Sequence, residues 1–317
     1  MTFRADDLIE RRRLRRKLTF WRVAAFLVLV LGLAALSAWF YREDLGGTAA
    51  DHIAKVRIEG TITQNDELVE RLEKIRKSPR VTGVFRAFDS PGGSTAGGES
   101  IYEEVRKLAA DKPVVAQVGS LAASAAYMIA SATDHIVARQ SSIVGSIGVL
   151  IQYPDVSGMM DKLGIKLEEI KSAPLKAEPS PFKPTSDAAR EMVRKLIMDS
   201  YDWFVGIVAD RRHMSRGQVL ALADGSIFTG RQAVANKLID ALGGEDEAVA
   251  WLATKGVDAK LDVVEWKSTR RSSYFLPDSL AGLAARALGL PQEGGELLRE
   301  LGADRLFLDG LVSVWHP

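Results

Sequence analysis

The most informative absence in this sequence is that of cysteine, which does not occur among its 317 residues. Disulfides, thiolate metal sites, iron–sulfur clusters and cysteine nucleophiles are therefore excluded. The cellular compartment stays open, because a chain without cysteine folds in oxidising and in reducing surroundings alike.

Net charge is nearly absent as well, since 42 basic residues stand against 41 acidic ones, for a formal charge of +1. Nucleic acid binding needs a sustained basic face, so nucleic acid is not expected as a partner. The composition, 47% hydrophobic and 26% charged, is that of one large or two small globular domains.

The sequence does contain one long apolar run without a charge, at residues 23–41. As a helix this run reaches about 28 Å, close to the roughly 30 Å hydrocarbon core of a bilayer. Trp21 and Trp39 lie where interfacial aromatic residues are found in membrane proteins. We predict one transmembrane helix over 23–41. A cleaved signal peptide and a buried helix of a soluble domain are the alternatives.

Basic residues are concentrated just before this run, between Arg11 and Arg22. By the positive-inside rule, residues 1–22 are predicted to be cytoplasmic and everything beyond the helix to lie across the membrane. Residues 42–52 are predicted to be a linker.

Residues 53–266 alternate between strand-like and helix-like segments, which predicts one α/β domain with parallel strand pairing. A helical extension is predicted for 267–317. Strands are predicted at 53–60, 81–88, 112–119, 135–139 and 146–153. Helices are predicted at 65–77, around Ile101 to Leu108, and over about 186–211.

The segment "SPGG", Ser90 to Gly93, follows the second predicted strand. Two glycines can expose backbone N–H groups in a conformation that side chains would block, which suits an oxyanion hole. An ordinary turn is the simpler interpretation. Phosphate binding has little support, because neither a Walker A lysine nor a GxGxxG pattern is present.

Ser124 stands in "GSLAASAAYMIA", between a predicted strand and a run of helix formers. A serine in the first turn of a helix lies near free N–H groups and the positive end of the helix dipole, which favours an alkoxide there. The residue is therefore a candidate nucleophile. A helix N-cap is the alternative role.

A histidine base for Ser124 is hard to find, because the chain has only four histidines. His135 is the one inside the catalytic-looking region, and no acidic partner with a recognisable motif accompanies it. There is also no GxSxG motif. A lysine base remains, since Ser–Lys pairs are a known variant of the triad. The string Ser180 to Lys183 is discounted, because prolines flank it where a helix is needed.

Several ordered motifs carry a family resemblance: "FDSPGGS", "GSLAASAAYMIASATDHIVA", "SSIVGSIGV", "IKSAPLKAEPSPF" and "ADGSIFTGRQAVANKLIDALGG". Together they resemble the bacterial signal peptide peptidase A family, over roughly residues 53 to 255. Members of that family are membrane-anchored Ser–Lys endopeptidases. The resemblance implies the spiral α/β fold shared by the Clp protease proteolytic subunit and the crotonases.

The resemblance also implies roles for individual residues. Ser124 would be the nucleophile and Lys176 the base. Backbone N–H groups of Gly92 or Gly93 and of Ala125 would form the oxyanion hole. Substrate-binding positions would be Ser146, Ile147 and Gly148. No metal or other cofactor is expected.

Lys176 must lose its proton near neutral pH to act as a base, although a free lysine has a pKa of about 10.4. Desolvation among apolar neighbours lowers a lysine pKa. The sequence around it, Ala173 to Ala177, is apolar apart from the lysine itself. An apolar environment is therefore predicted for Lys176.

The implied function is hydrolysis of signal peptides and other polypeptides at the inner (plasma) membrane, with the catalytic domain on the periplasmic side. The resemblance further implies a homo-oligomeric ring in which the serine of one protomer meets the lysine of its neighbour. Two alternatives stay open at this point. A crotonase-like acyl-CoA enzyme would need an acidic catalytic residue, and a catalytically silent membrane scaffold would keep the fold without the dyad.

Overall fold

A computed structural model describes residues 17–32, 50–267 and 312–314, and the chain divides into two units, Met1–His52 and Ile53–Pro317. The first unit contains helix α1 at residues 17–32, whose apolar side chains are exposed. Among the described residues, no helix is both long enough and apolar enough to cross a membrane. Residues 33–41 of the predicted span lie outside the described part of the chain, as do most of the preceding basic residues.

The second unit alternates strands and helices. Its strands are β1 (His52–Ile62), β2 (Val81–Ser94), β3 (Val114–Ala123), β4 (His135–Ala138), β5 (Ile143–Gly145), β6 (Ile227–Thr229), β7 (Ala241–Leu242), β8 (Val263–Glu265) and β9 (Val312–Val314). Its helices are α2 (Asp66–Lys77), α3 (Thr95–Asp111), α4 (Ala125–Ser131), α5 (Ser157–Lys162), α6 (Asp187–Arg211), α7 (Arg216–Leu220), α8 (Gly230–Ala235) and α9 (Glu245–Thr254).

All described strands of this unit belong to one sheet, whose main order is β6-β5-β3-β2-β1-β8. Strand β3 has different neighbours at its two ends. Its first half pairs with β4 and its last three residues pair with β5, both in parallel. Strand β2 likewise pairs with β3 over most of its length and with β9 at its end. Both strands therefore change their pairing partner towards their carboxyl ends.

Helices cover both faces of the sheet. Successive strand residues point to opposite faces, so each strand contributes to two cores. Val84 and Phe88 of β2 face the larger core, to which α2, α3, α4 and α6 contribute. Phe85 faces a smaller core, which Ala248 and Leu252 of α9 close. Most of the long helix α6 is outside these cores, and its buried residues are confined to Ala189 and to positions from Phe204 onward.

The structure confirms the predicted α/β class, but the sheet is mixed, because β5 pairs with β6 and β2 with β9 in antiparallel orientation. Strands at 53–60, 81–88, 112–119 and 135–139 and the three helices lie where the sequence predicts them, within a few residues, although β2 runs on to Ser94. The predicted strand at 146–153 is wrong. Gly145 and Ser146 both have positive φ, which ends the extended backbone there. The predicted C-terminal extension, 267–317, lies outside the described residues except for Lys267 and β9.

Arg86, on β2, is an unexpected part of the larger core. Its side chain is fully buried, and none of its three guanidinium nitrogens has a hydrogen-bond partner among the described residues. Burial, with a smaller contribution from the nearby cation Arg71, lowers the pKa of Arg86 to about 9. Burial of an unpaired charge is unfavourable, so the fold carries Arg86 at a cost in stability.

We predict that Arg86→Met stabilises the protein. The methionine side chain fills a similar space without a buried charge, and the free energy of unfolding should rise by on the order of 1–3 kcal/mol. Thermal unfolding followed by circular dichroism measures this. Arg106→Met is the control. The Arg106 guanidinium donates to the Ala132 carbonyl at 2.8 Å, so its removal should lower the melting temperature. A lower melting temperature for Arg86→Met would contradict the prediction.

Candidate active site

Ser124 lies at the junction of β3 and α4, with φ of 59° and ψ of −122°. A non-glycine residue with positive φ is strained, and such residues are concentrated at functional sites. Two backbone hydrogen bonds hold this conformation. The Ser124 N–H donates to the Gly145 carbonyl at 2.8 Å, and its carbonyl accepts from the N–H of Met128 at 2.9 Å. A serine on a strained strand-to-helix turn is the backbone arrangement of a nucleophile elbow.

The serine stands at the N-cap position of α4, but its hydroxyl makes no capping hydrogen bond to the helix. An N-cap serine ordinarily accepts from an N–H group of the first turn. The position predicted by the N-cap alternative is therefore correct, while the interaction that would explain it is missing. The residue is 1% exposed, and the whole of α4 is buried.

The glycine loop at the end of β2 lies next to this serine. Ser90 is opposite Ala122 in the sheet, which brings the loop beside the end of β3. Helix α3 begins directly after the loop, and a Cβ atom added to Gly98 would lie 3.1 Å from the Cβ of Ala125. The start of α3 and the start of α4 are thus packed as closely as their small residues allow.

Both glycines of the loop are required by its geometry. Gly92 has a φ of 101°, and a Cβ added to Gly93 would lie 1.8 Å from the Ile62 carbonyl oxygen. The N–H of Gly92 donates to the Ser90 hydroxyl oxygen at 3.1 Å, and that hydroxyl donates to the Gly60 carbonyl at 2.6 Å. Of the two loop N–H groups, the one on Gly92 is therefore already occupied by the loop itself.

A cavity of about 480 Å³ opens beside Ser124. The three residues predicted to bind substrate line it, and most of its other walls are apolar. Its lining consists of Ser124, Ser146, Ile147, Gly148, Val149, Leu150, Ile197, Met198, Tyr201, Ala223, Asp224 and Gly225. An apolar side chain of an extended peptide fits a cavity of this size and polarity.

Two thirds of this lining was not identified as part of a site from the sequence. Ile197, Met198 and Tyr201 come from α6, and the Tyr201 hydroxyl donates to the Ala223 carbonyl at 2.8 Å. Residues 223–225 form a turn in which the Asp224 carboxylate accepts from the Ser226 N–H at 2.9 Å. The dipeptide Asp224-Gly225 is a recognisable turn signal, but nothing in it indicates which cavity the turn closes.

Lys176 lies at the tip of a turn in which its N–H donates to the Ala173 carbonyl at 3.1 Å and Ala177 has a φ of 59°. The residue is exposed and is not part of the cavity lining. The apolar environment predicted for it is not formed by the described part of one chain. Its neighbour Leu175 is 41% exposed, and most residues from Val156 to Lys183 are exposed as well.

Four charged side chains form a network at the base of the Lys176 turn. The carboxylate of Glu178, 5% exposed, accepts from Lys171 at 2.7 Å and from Lys183 at 2.5 Å. Glu169 contacts the same two lysines at 3.1 and 2.6 Å. Hydrogen bonds from Lys171 and then Lys183 lower the pKa of Glu178. These ion pairs connect the chain before Lys176 to the chain after it. Lys183 pairs with both Glu169 and Glu178.

His135 is engaged elsewhere in the fold. Its ring stacks on Trp251 with centroids 4.9 Å apart, and its Nδ1 lies 3.7 Å from the Asp240 carboxylate, which Arg212 also contacts at 2.7 Å. Burial lowers the pKa of His135. The ring does not line the cavity beside Ser124. Its contact with Trp251 packs β4 against α9 instead.

Comparison with known proteins places these residues in a family. Residues 106–260 match the model of peptidase family S49. A Methanocaldococcus jannaschii protein that bears the name of a protease is 38% identical over 65% of this chain and 67% of its own length. An Enterococcus faecium protein named as signal peptide peptidase SppA is 32% identical over 74% of this chain and 73% of its own length. Protease 4 of Haemophilus influenzae is 32% identical over 81% of this chain but only 45% of its own length.

These relatives confirm the resemblance to the signal peptide peptidase A family. The chain covers two thirds or more of the length of two of them. The chain therefore belongs to peptidase family S49 and is a serine peptidase.

Proposed function

We propose that this protein is a Ser–Lys endopeptidase that cleaves peptides through an acyl-enzyme. The observation that carries the proposal is the strained Ser124 at the mouth of an apolar cavity and beside a glycine loop. Its hydroxyl does not cap α4, so helix capping does not account for a serine at this position.

In the proposed mechanism, Ser124 Oγ attacks the scissile carbonyl while Lys176 Nζ takes the hydroxyl proton. The negative oxygen of the tetrahedral intermediate accepts from backbone N–H groups, for which we propose Gly93 and Ala125. Gly92 is the weaker choice, because its N–H already donates to Ser90. The C–N bond then breaks as Lys176 returns the proton to the leaving amine. Water, deprotonated by Lys176, hydrolyses the ester and restores the serine.

The proposed substrates are extended apolar peptides, with signal peptides remaining in the membrane as the natural example. Support comes from the apolar lining of the cavity beside Ser124 and from the name of the Enterococcus faecium relative. We further propose the spiral fold of Clp-type proteases for the second unit, on the ground that β3 pairs with β4 at one end and β5 at the other.

We propose that Lys176 reaches the serine of a neighbouring protomer in a closed homo-oligomer. Two observations support this assembly. Lys176 is exposed and absent from the lining of its own chain's cavity. The segment that carries it also exposes several large apolar side chains, which an interface would bury. These are Met159, Leu163, Ile165, Leu167, Ile170, Leu175 and Phe182.

The dyad prediction concerns Ser124→Ala and Lys176→Ala. Each variant should lose hydrolysis of a fluorogenic apolar peptide by a factor of at least about 10³, because nucleophile and base act as one unit. Circular dichroism should show that both variants stay folded. Two exposed residues outside the cavity and the proposed interface, Ser120 and Lys260, provide Ser120→Ala and Lys260→Ala as matched controls with unchanged rates. Turnover at the unmodified rate in either dyad variant would refute the assignment, and an inactive parent protein would favour a silent scaffold.

The assembly prediction is tested by mixing inactive subunits. When Ser124→Ala and Lys176→Ala chains are unfolded together and reassembled one to one, about a quarter of the neighbouring pairs contain both intact groups. Peptide hydrolysis should therefore return to about a quarter of the parent rate. Native mass spectrometry verifies that the assemblies are mixed. Mixed assemblies without activity would place both groups in one chain.

Membrane anchoring is also proposed, with residues 23–41 crossing the inner membrane and the protease unit on the periplasmic side. The support is the charge-free apolar run and the basic residues before it. Protease added to intact spheroplasts should digest or release the part of the chain beyond Arg42. Permeabilised spheroplasts are the control for protease access. Full protection in intact spheroplasts, with digestion after permeabilisation, would reverse the orientation.

A further inference from the structure

Asp224 is the one charged residue in the lining of the cavity beside Ser124, as far as the described part of the chain forms that lining. Most of the other lining residues are apolar. Asp224 is exposed, so its carboxylate lies at the mouth of the cavity and not in its depth. The mechanism proposed above does not use this carboxylate.

The turn that carries Asp224 is fixed to the segment predicted to bind substrate. The Ser146 N–H donates to the Ser226 carbonyl at 2.7 Å. A Cβ atom added to Gly148 would lie 3.8 Å from the Cα of Gly225. Asp224 itself accepts from the Ser226 N–H at 2.9 Å. The carboxylate therefore has a defined position relative to a peptide that binds along this segment.

The negative charge of Asp224 is complete at neutral pH and is not balanced within the described part of the chain. Hydrogen bonds from the Ser226 hydroxyl and then from its N–H lower the pKa of Asp224. No ion pair between described residues involves Asp224, whereas Asp202, which like Asp224 influences Tyr201, is paired with Arg216 at 2.8 Å. The mouth of the cavity therefore offers one carboxylate to a cation from outside the chain.

An extended peptide can bring a cation to this carboxylate. Alternate side chains of such a peptide point to the same face and are about 7 Å apart. When one apolar side chain fills the cavity, the side chain two residues away lies on the same side of the peptide. A lysine or arginine at that position can lay its apolar stem along the cavity wall and keep its charged end at the exposed mouth.

We propose that Asp224 is a specificity-determining residue, which selects peptides with Lys or Arg two residues from the apolar residue in the cavity and rejects those with Asp or Glu there. The proposal rests on the peptidase function proposed above and narrows its substrates to apolar peptides flanked by a basic residue. Signal peptides contain such a junction, where the basic n-region meets the apolar h-region. Cleavage of a signal peptide is therefore expected near that junction.

The first experiment measures kcat/KM for matched, internally quenched fluorogenic peptides. Each peptide has one leucine in an alanine background, with Lys, Gln or Glu placed two residues before or after the leucine. At one of these positions the protein should prefer Lys over Glu on the order of tenfold, because opposite charges attract and like charges repel across an interface. The difference should appear in KM, and it should shrink at about 0.5 M salt, which screens exposed charges.

Asp224→Asn removes the charge, while the asparagine side-chain oxygen can still accept from Ser226 and keep the turn. The ratio of kcat/KM for the Lys and Glu peptides should fall to about one in this variant. Asp258→Asn is the matched control and should keep the parent ratio. Asp258 is exposed, accepts from the Lys260 N–H at 2.9 Å and lies outside the cavity lining.

Two results of this experiment would overturn the proposal. One is a ratio near unity in the parent protein at both peptide positions. The other is a ratio that Asp224→Asn leaves unchanged, including the case in which the rate falls equally for all peptides. An equal fall is the result expected if Asp224 instead held the lysine base in place.

The second experiment does not depend on catalysis. Fluorescent Lys and Glu peptides are titrated into Ser124→Ala protein and into the double variant that also carries Asp224→Asn. The Lys peptide should bind about tenfold more tightly than the Glu peptide, and only where Asp224 is intact. Equal binding of the two peptides to Ser124→Ala protein would overturn the proposal. Selective binding by a protein whose parent form hydrolyses no peptide would uphold the role of Asp224 and refute the peptidase.

Discussion

One backbone conformation, the positive φ of Ser124, sets the arrangement of the site. Strained residues of this kind cost on the order of 1–3 kcal/mol and persist only where the surrounding structure fixes them. Here the fixing is done by the bond from Ser124 to the Gly145 carbonyl and by α4, which is buried along its whole length. If the serine adopted an ordinary extended conformation, β3 would run on past Ala123 and the hydroxyl would not stand at the cavity.

The neighbours of Ser124 are small because of this turn. Ala122, Ala123, Ala125 and Ala126 are fully buried, and Gly98 approaches Ala125 closely. Larger side chains would separate the glycine loop from the serine. The same close packing leaves the outer edge of the loop, Gly92 to Ser94, for a pairing strand. The strained serine and the pairing of residues 92–94 with β9 are thus two results of one tightly packed junction.

The proposed base is organised differently, because Lys176 is on an exposed turn outside the core. Glu178 and Glu169, with Lys171 and Lys183, hold that turn by charge rather than by apolar packing. Ion pairs near a surface contribute to stability when several charges form a network, as they do here. A lysine that must be desolvated to act as a base then needs an apolar surface from outside its own segment, which is the physical reason for proposing a neighbouring protomer.

Sequence patterns predicted the parts of the fold that local physics decides. The alternation of apolar residues located β1 to β4 and the long helix, and the glycines of "SPGG" indicated a backbone constraint that Gly92 and Gly93 do have. The prediction of a strand at 146–153 was wrong, because apolar residues of this segment line a cavity and do not form a paired strand. Met198 and Tyr201 were missed, since their role depends on the long-range approach of α6, and the pairing of β9 has no local signal at all.

The most direct test of this account is intact-protein mass spectrometry after treatment with a fluorophosphonate, followed by peptide mapping. An activated serine reacts with this reagent, whereas an ordinary buried or capping serine does not. The account predicts one covalent adduct per chain, on Ser124, and its loss in Lys176→Ala, where the base is missing. An unmodified Ser124 in assembled protein, or an adduct on another serine, would contradict it.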